Sequence, residues 1–180
     1  QVKSDSITLQ ARRDNITNGI QNQVNSIQGK LDGDLSNLCH NPTFSHGVEG
    51  WNSSHLAVEG PWSEMPTPKN GTLFVRDAYY GDYFPVSKGE RYYTSVFAHN
   101  GDSATFVLGL CFQLKDGSLS WLSGSNVPGL QTGKFDGYVD VPDNAVRAKI
   151  WASIQKFDNF GWVRFTNVIV KKNDAISQIN

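Results

Sequence analysis

The stretch Thr105-Phe106-Val107-Leu108-Gly109-Leu110-Cys111-Phe112-Gln113-Leu114-Lys115 decides how this chain folds. Phe106, Leu108, Leu110, Phe112 and Leu114 occupy every second position. A period of two gathers side chains on one face of a β-strand, whereas a helix repeats every 3.6 residues and would scatter them. Asp116-Gly117 follows directly and signals a hairpin, because glycine accepts the positive φ that tight hairpin turns demand.

The same pattern recurs on both sides. Arg91 to His99 is rich in β-branched and aromatic residues and follows a turn at Ser87–Glu90. Ala145 to Ile154 alternates, and Gly161 to Val170 closes the series. Shorter strands are expected over 72–77, 82–86 and 135–141. Many short strands parted by turns indicate a β-sandwich or jelly roll. The expected β domain covers residues 39–172.

Residues 1–43 contain no Phe, Tyr or Trp, and their period differs. Ile16, Ile20, Val24, Ile27, Leu31, Leu35 and Leu38 are spaced four, four, three, then four, four, three. An eleven-residue repeat gives 3.67 residues per turn, so paired helices would run nearly straight or with a slight right-handed supercoil. Leu9 extends the stripe backward from Ile20. A lone helix with an uncovered apolar stripe is marginal in water. Residues 1–38 are therefore expected to form a helical coiled coil between copies of the chain. β-Branched Ile20, Val24 and Ile27 lean toward three strands by the rule for seven-residue repeats. Gly19, Gly29 and Gly33 weaken the helix. Residues 173–180 regain the polar, aromatic-free character and are expected to start a further helical segment.

Composition narrows the function. Sixteen Lys and Arg against seventeen Asp and Glu leave a formal net charge of −1. No basic cluster is present to neutralise phosphates, which excludes nucleic acid as a partner. No run of some 18 apolar residues spans a membrane. The chain begins at Gln1 without a signal peptide, so it is expected to be a piece of a longer protein. Cys39 and Cys111 form no C-x-x-C pair; two buried thiols or one bridge are both open.

No phosphate-binding loop, nucleophile elbow or H-E-x-x-H spacing occurs, so no enzyme is expected. Cys39, His40 and His46 do not have the ligand spacing of a known zinc finger. Glu49, Glu59, Glu64, Asp77, Asp82, Asp102 and Asp136 read as surface carboxylates.

Outward aromatics are more informative. Alternation turns Gln113 outward on one strand, Lys149, Trp151 and Ser153 on a second, and Phe97 and His99 on a third. A ring flanked by Gln, His and Ser suits a sugar, whose apolar face stacks while its hydroxyls take hydrogen bonds. Trp62, Tyr79, Tyr80, Tyr83 and Trp121 read as loop aromatics. The expected carbohydrate site is Phe97, His99, Gln113 and Trp151 on one face, with Tyr79, Tyr80 and Trp121 at its rim.

Asn41-Pro42-Thr43-Phe44 leading to Gly50-Trp51, Val86-Ser87-Lys88-Gly89 leading to Tyr92 and Ser95, Phe135 to Pro142, and Phe165-Thr166-Asn167-Val168 stand in an order that resembles the carbohydrate-binding jelly rolls of glycanase modules, families four, nine and twenty-two. The resemblance implies two packed sheets with sugar on the concave sheet or loop rim. It also implies a structural calcium, held by an acid after the first Phe and another in the last strand. Ser45 and Thr166 stand at those positions, so no calcium and no cofactor is expected. A polar self-associating helix joined to such a module is similar to bacteriophage tail fibre or tail-tip proteins. That likeness implies a homotrimer in a virion, other tail proteins as neighbours, and bacterial surface polysaccharide or lipopolysaccharide as ligand. A purely structural spacer and a glycanase accessory domain are the competing readings.

Overall fold

The computed structural model describes residues 2–32, 36–156 and 161–173, with side chains in the helix described over 6–24. It divides into two units, residues 1–35 and 36–180. The first is one helix, α1 (Val2–Asp32). Ile16, Ile20 and Val24 are exposed along it at 63%, 56% and 42%, as are Ile7 and Leu9. Ile27 and Leu31 continue the helical backbone, whereas Leu35 and residues 174–180 of the expected segment 173–180 lie outside the described residues. No described helix is long and apolar enough to cross a membrane.

Among its described residues the second unit has ten strands: β1 (Trp51–Asn52), β2 (Leu56–Glu59), β3 (Asn70–Leu73), β4 (Asp77–Pro85), β5 (Arg91–Asn100), β6 (Phe106–Leu114), β7 (Leu119–Val127), β8 (Thr132–Asp140), β9 (Ala145–Ile154) and β10 (Val163–Lys172). They form two antiparallel sheets of five, ordered β1-β4-β9-β6-β7 and β2-β3-β10-β5-β8. This is a jelly-roll β-sandwich. Phe106, Leu108, Leu110 and Phe112 of β6, with Ala148, Ile150, Ala152 and Ile154 of β9, face Val96, Ala98 and Phe165 across the core. The alternation in β6 and β9 sorts inward from outward residues correctly.

The Asn41-to-Trp51 motif works as a plug for one side of this core. Asn41 Nδ2 donates to the carbonyls of Gly47 and Glu49 at 2.9 and 3.0 Å, closing the loop. Phe44, at a φ of 58°, drives its fully buried ring against Trp51, with centroids 5.3 Å apart. The ring lies so close over Gly71 that a Cβ there would collide with it. What resembles a family signature is thus a packing device.

The chain enters and leaves this domain side by side. β3 pairs β10 only over Val163 to Phe165, which leaves that edge of the strand's later half without a β3 partner. Asn37 covers it, donating Nδ2–H to Val168 O and accepting from Val170 N, both at 2.9 Å. Leu38 N–H donates to Val170 O at 2.8 Å, and its side chain packs on the β core. Leu38 therefore corrects the expected helical stripe: it belongs to the sandwich. Cys39 and Cys111 are both buried and free, Cys39 in the main core.

Glu90 anchors the last residue of β10, at this same C-terminal end. Its carboxylate accepts from Ser87 N–H at 2.5 Å and pairs with Lys172 Nζ at 2.6 Å. Burial pushes its pKa up, but the bonds from Lys172 and Ser87 outweigh this and leave it below the usual value. A carboxyl depressed on folding adds stability above its unfolded pKa and loses it as pH falls through the folded value. Glu90→Gln is expected to cost about 1 kcal/mol at neutral pH. The difference from wild type should close at about pH 3; melts at both pH values check it.

Candidate functional site

The antiparallel registers set out the outer face of the β1-β4-β9-β6-β7 sheet as a grid. One row across β4, β9, β6 and β7 is Asp77, Ser153, Val107 and Asn126. The next is Tyr79, Trp151, Gly109 and Ser123. Lys149, Cys111 and Trp121 form a third, with Tyr83 at its β4 end, where a bulge shifts the register. Pro85, Arg147, Gln113 and Leu119 form the fourth.

Trp121 and Tyr79 lean toward each other across this face. Trp121 Nε1–H donates to Tyr79 Oη at 3.0 Å. Three inter-strand steps, about 14 Å, separate their strands, so the pair makes a bridge over the sheet. Beneath it lies a small second apolar cluster of Val107, Cys111 and Trp151, against which Tyr79 packs. Gly109 has a similar reason to lack a side chain: a Cβ would strike the backbone of Leu122 and Ser123, where β7 bulges. Burial pushes the Tyr79 phenol up, partly opposed by the Trp121 hydrogen bond. Burial also pushes the Cys111 thiol up.

Next to the bridge is a cavity of about 230 Å³ lined by Arg76, Asp77, Trp121, Trp151, Ser153 and Gln155. Asp77 Oδ1 accepts from Trp151 Nε1–H at 3.0 Å, which holds both side chains in place. Gln155 Nε2 donates to Ser153 Oγ at 3.0 Å. Trp121 is 45% exposed and offers its ring to solvent, whereas Trp151 is 7% exposed. The site combines one free aromatic plate with fixed amide, hydroxyl and carboxylate groups.

The expected site is therefore partly assembled and partly split. Tyr79, Trp121, Trp151 and Gln113 share the face. Phe97 and His99 do not: β5 lies in the other sheet, so they occupy the opposite outer surface of the sandwich. Tyr80 alternates away from Tyr79, packs against the main core, and accepts from His40 N–H. Tyr79, Tyr80, Tyr83 and Trp121 sit on strands rather than loops. Trp151 points outward as alternation requires but lies under the bridge, not in solvent.

His99 joins a different cluster. Its Nδ1 is 2.6 Å from Thr132 Oγ1, and its ring centroid is 5.4 Å from that of Trp162. Arg164 lies between Trp62 and Trp162, 4.2 and 4.5 Å from their centroids, and pairs with Glu64. The Glu64 carboxyl lies below its ordinary value, foremost through a backbone hydrogen bond, with Arg164 and His99 adding to it against burial. Those indoles already stack on a guanidinium. A sugar would have to displace it.

Asp77, Lys149, Ser153, Arg147 and Tyr83 complete the site. Lys149 and Ser153 are readable as outward from alternation, whereas Asp77, read as a surface carboxylate, and Tyr79, read as a loop aromatic, belong to one strand that runs Asp77–Pro85 across the gap between the expected strands 72–77 and 82–86. Ser45 and Thr166 offer no carboxylate, and Thr166 Oγ1 lies 2.7 Å from Thr67 Oγ1. Among the described residues, no cluster of three His, Cys, Asp or Glu side chains could hold a metal.

No protein-family model and no curated protein matches the sequence. Solved structures do. The N-terminal endo-1,4-β-D-xylanase 10B modules of Clostridium thermocellum, complexed with xylohexaose, align over 74% of this chain and 28% of theirs, with 15% identity and a TM-score of 0.52. A family 16 carbohydrate-binding module aligns over 72% and 96%, with 14% identity and a TM-score of 0.54. The fold is that of carbohydrate-binding jelly rolls. The enzymatically active domain of bacteriophage CBA120 tailspike protein 4 aligns over 76% of this chain and 21% of its own, with 18% identity and a TM-score of 0.50. This chain thus spans less than a third of the xylanase and tailspike chains.

Proposed function

We propose that the β-sandwich is a non-catalytic glycan-binding module that uses the outer face of the β1-β4-β9-β6-β7 sheet. The observation that carries this reading is Trp121, a half-exposed ring beside a cavity lined by Asp77, Ser153 and Gln155. Sugars need an apolar plate with hydrogen-bonding groups at its margin, and this face has both. The cavity is smaller than the pockets of about 300–1,000 Å³ that take drug-sized ligands, which suits a single sugar ring. The carbohydrate-binding fold supports the reading.

The helix extends it. A stripe of exposed Leu9, Ile16, Ile20 and Val24 on α1 is covered best by the same stripe of two further copies. A polar trimeric rod carrying a glycan-binding sandwich is the design of a phage tail fibre. We assign the chain to such a fibre in the virion, among other tail proteins, with bacterial surface polysaccharide or lipopolysaccharide as ligand. Three weak sites on one rod gain avidity without any new contact. The assigned site uses no metal or cofactor.

Trp121→Ala is expected to reduce glycan binding by about tenfold or more, since ring stacking contributes about 1 kcal/mol beyond the area it buries. Melting should shift by only a few degrees, because the ring is a surface group. A glycan array with wild type and variant, alongside thermal melts, reads both. Unchanged binding in the variant would place the ligand elsewhere.

A further inference from the structure

The two rows of the grid farthest from Asp77 carry an unneutralised charge. Lys149 and Arg147 occupy successive outward positions of β9 and converge on one ring. Lys149 Nζ is 4.4 Å and the Arg147 guanidinium 4.1 Å from the centroid of Tyr83. Arg147 Nε–H also donates to Gln113 Oε1 at 2.5 Å. Across the bridge, Arg76 lines the cavity. Among the described residues the grid carries one carboxylate, Asp77, which is engaged by Trp151 and lies 3.7 Å from Arg76. Asp82 alternates to the other side of β4 and lines a separate hollow with Tyr80 and Phe84. Among the described residues, no carboxylate forms an ion pair with Lys149 or Arg147.

A ring quadrupole attracts cations but does not cancel their charge. Two like charges gathered on Tyr83 repel each other, and an anion placed between them relieves that repulsion. The guanidinium fork matches a carboxylate or sulfate in geometry as well as in sign. Lys149 stands in the same row as Trp121, with only Cys111 between them. One sugar unit stacked on Trp121 can therefore present an acidic substituent to Lys149.

We propose that the glycan bound on this face is acidic, its anionic group received by Lys149 and Arg147 while its ring stacks on Trp121. The proposal rests on the glycan-binding reading of this face and adds the chemical class of the ligand. Neutral polymers would leave the two cations unsatisfied and bind more weakly.

The test is calorimetric titration of the full chain with polygalacturonate, dextran sulfate, xylan and galactan, repeated with Lys149→Gln/Arg147→Gln and with Trp121→Ala. An acidic polymer should bind best. The double variant should lose about tenfold or more of that affinity, and wild-type affinity should fall several-fold between about 50 and 300 mM salt. Polygalacturonate alone would identify a carboxylate as the preferred group, dextran sulfate alone a sulfate; either result supports the proposal. Neutral-polymer binding that needs Trp121 but ignores the double variant overturns the acidic class and leaves the glycan site standing. Acidic-polymer binding lost in the double variant yet untouched by Trp121→Ala shows capture by charge alone and also overturns it. If no polymer binds, the glycan reading itself falls.

Discussion

Trp151→Ala is expected to destabilise the β domain by about 3–5 kcal/mol, the cost of removing a large buried aromatic side chain from a packed site. For a domain of this size that corresponds to a loss on the order of 10–20 °C in melting temperature. The reason lies outside the sandwich's main core. Trp151 is 7% exposed on the outer face of its sheet, in contact with Val107 and Cys111 and packed by Tyr79. Its indole N–H also holds Asp77. Removing it would empty the floor of the cavity and release the carboxylate from its only aromatic donor among the described hydrogen bonds. Trp151→Phe should keep most of the packing and lose the hydrogen bond alone, at about 1 kcal/mol. Thermal melts of the two variants separate these contributions. A shift of only a few degrees for the alanine variant would mean that Trp151 faces water, and the bridge above it does not form.

That expectation differs from the one drawn from alternation, and the difference is instructive. Period-two patterning reports which side of a strand a residue occupies. It does not report what covers that side. In β6 and β9 the inward set was readable because one face is large and apolar without interruption. The outward set of β9 was readable too, but its burial depends on Trp121 reaching across from β7. That strand shows no clear period because Leu119 to Val127 is rich in Ser, Gly and Asn, residues with little preference for strands. It lies at the edge of its sheet, paired only with β6 there, so packing asks less of its sequence. β1 and β2 are too short to show a period at all.

Sheet membership was the harder problem. β5 alternates as cleanly as β9, with Tyr92, Val96 and Ala98 inward, so Phe97 and His99 were correctly placed on an outer surface. Nothing local distinguishes the two outer surfaces of a sandwich. That distinction comes from strand order, which in a jelly roll depends on crossings between sheets and is set by contacts distant in sequence. Four of the seven expected carbohydrate residues still share one face, because β4, β6, β7 and β9 are neighbours in one sheet.

The largest effect on assembly should come from Ile20→Asp/Val24→Asp. The described side chains of α1 are all exposed, so the helix has no apolar cover within its own unit. Its polar positions are mostly Asn, Gln, Ser and Thr, and Gly19 interrupts it without any packing reason, since nothing lies near where its Cβ would be. Each such glycine costs about 1 kcal/mol relative to alanine. A helix of this composition persists in water only if an apolar seam is buried between chains. Two aspartates in that seam would bury charges without partners, a cost of several kcal/mol per charge. Complete dissociation is the expected result. Sedimentation equilibrium at micromolar concentration should report three times the 19.9 kDa chain mass for wild type and the single chain mass for the variant. Helical circular dichroism should fall with assembly, while the β domain, a separate compact unit, melts unchanged. A wild-type monomer, or a variant that stays trimeric, would overturn the coiled coil. If the monomeric variant binds an isolated oligosaccharide as well as wild type but adheres far less to a glycan-coated surface, the rod's role is avidity and the binding chemistry belongs wholly to the sandwich.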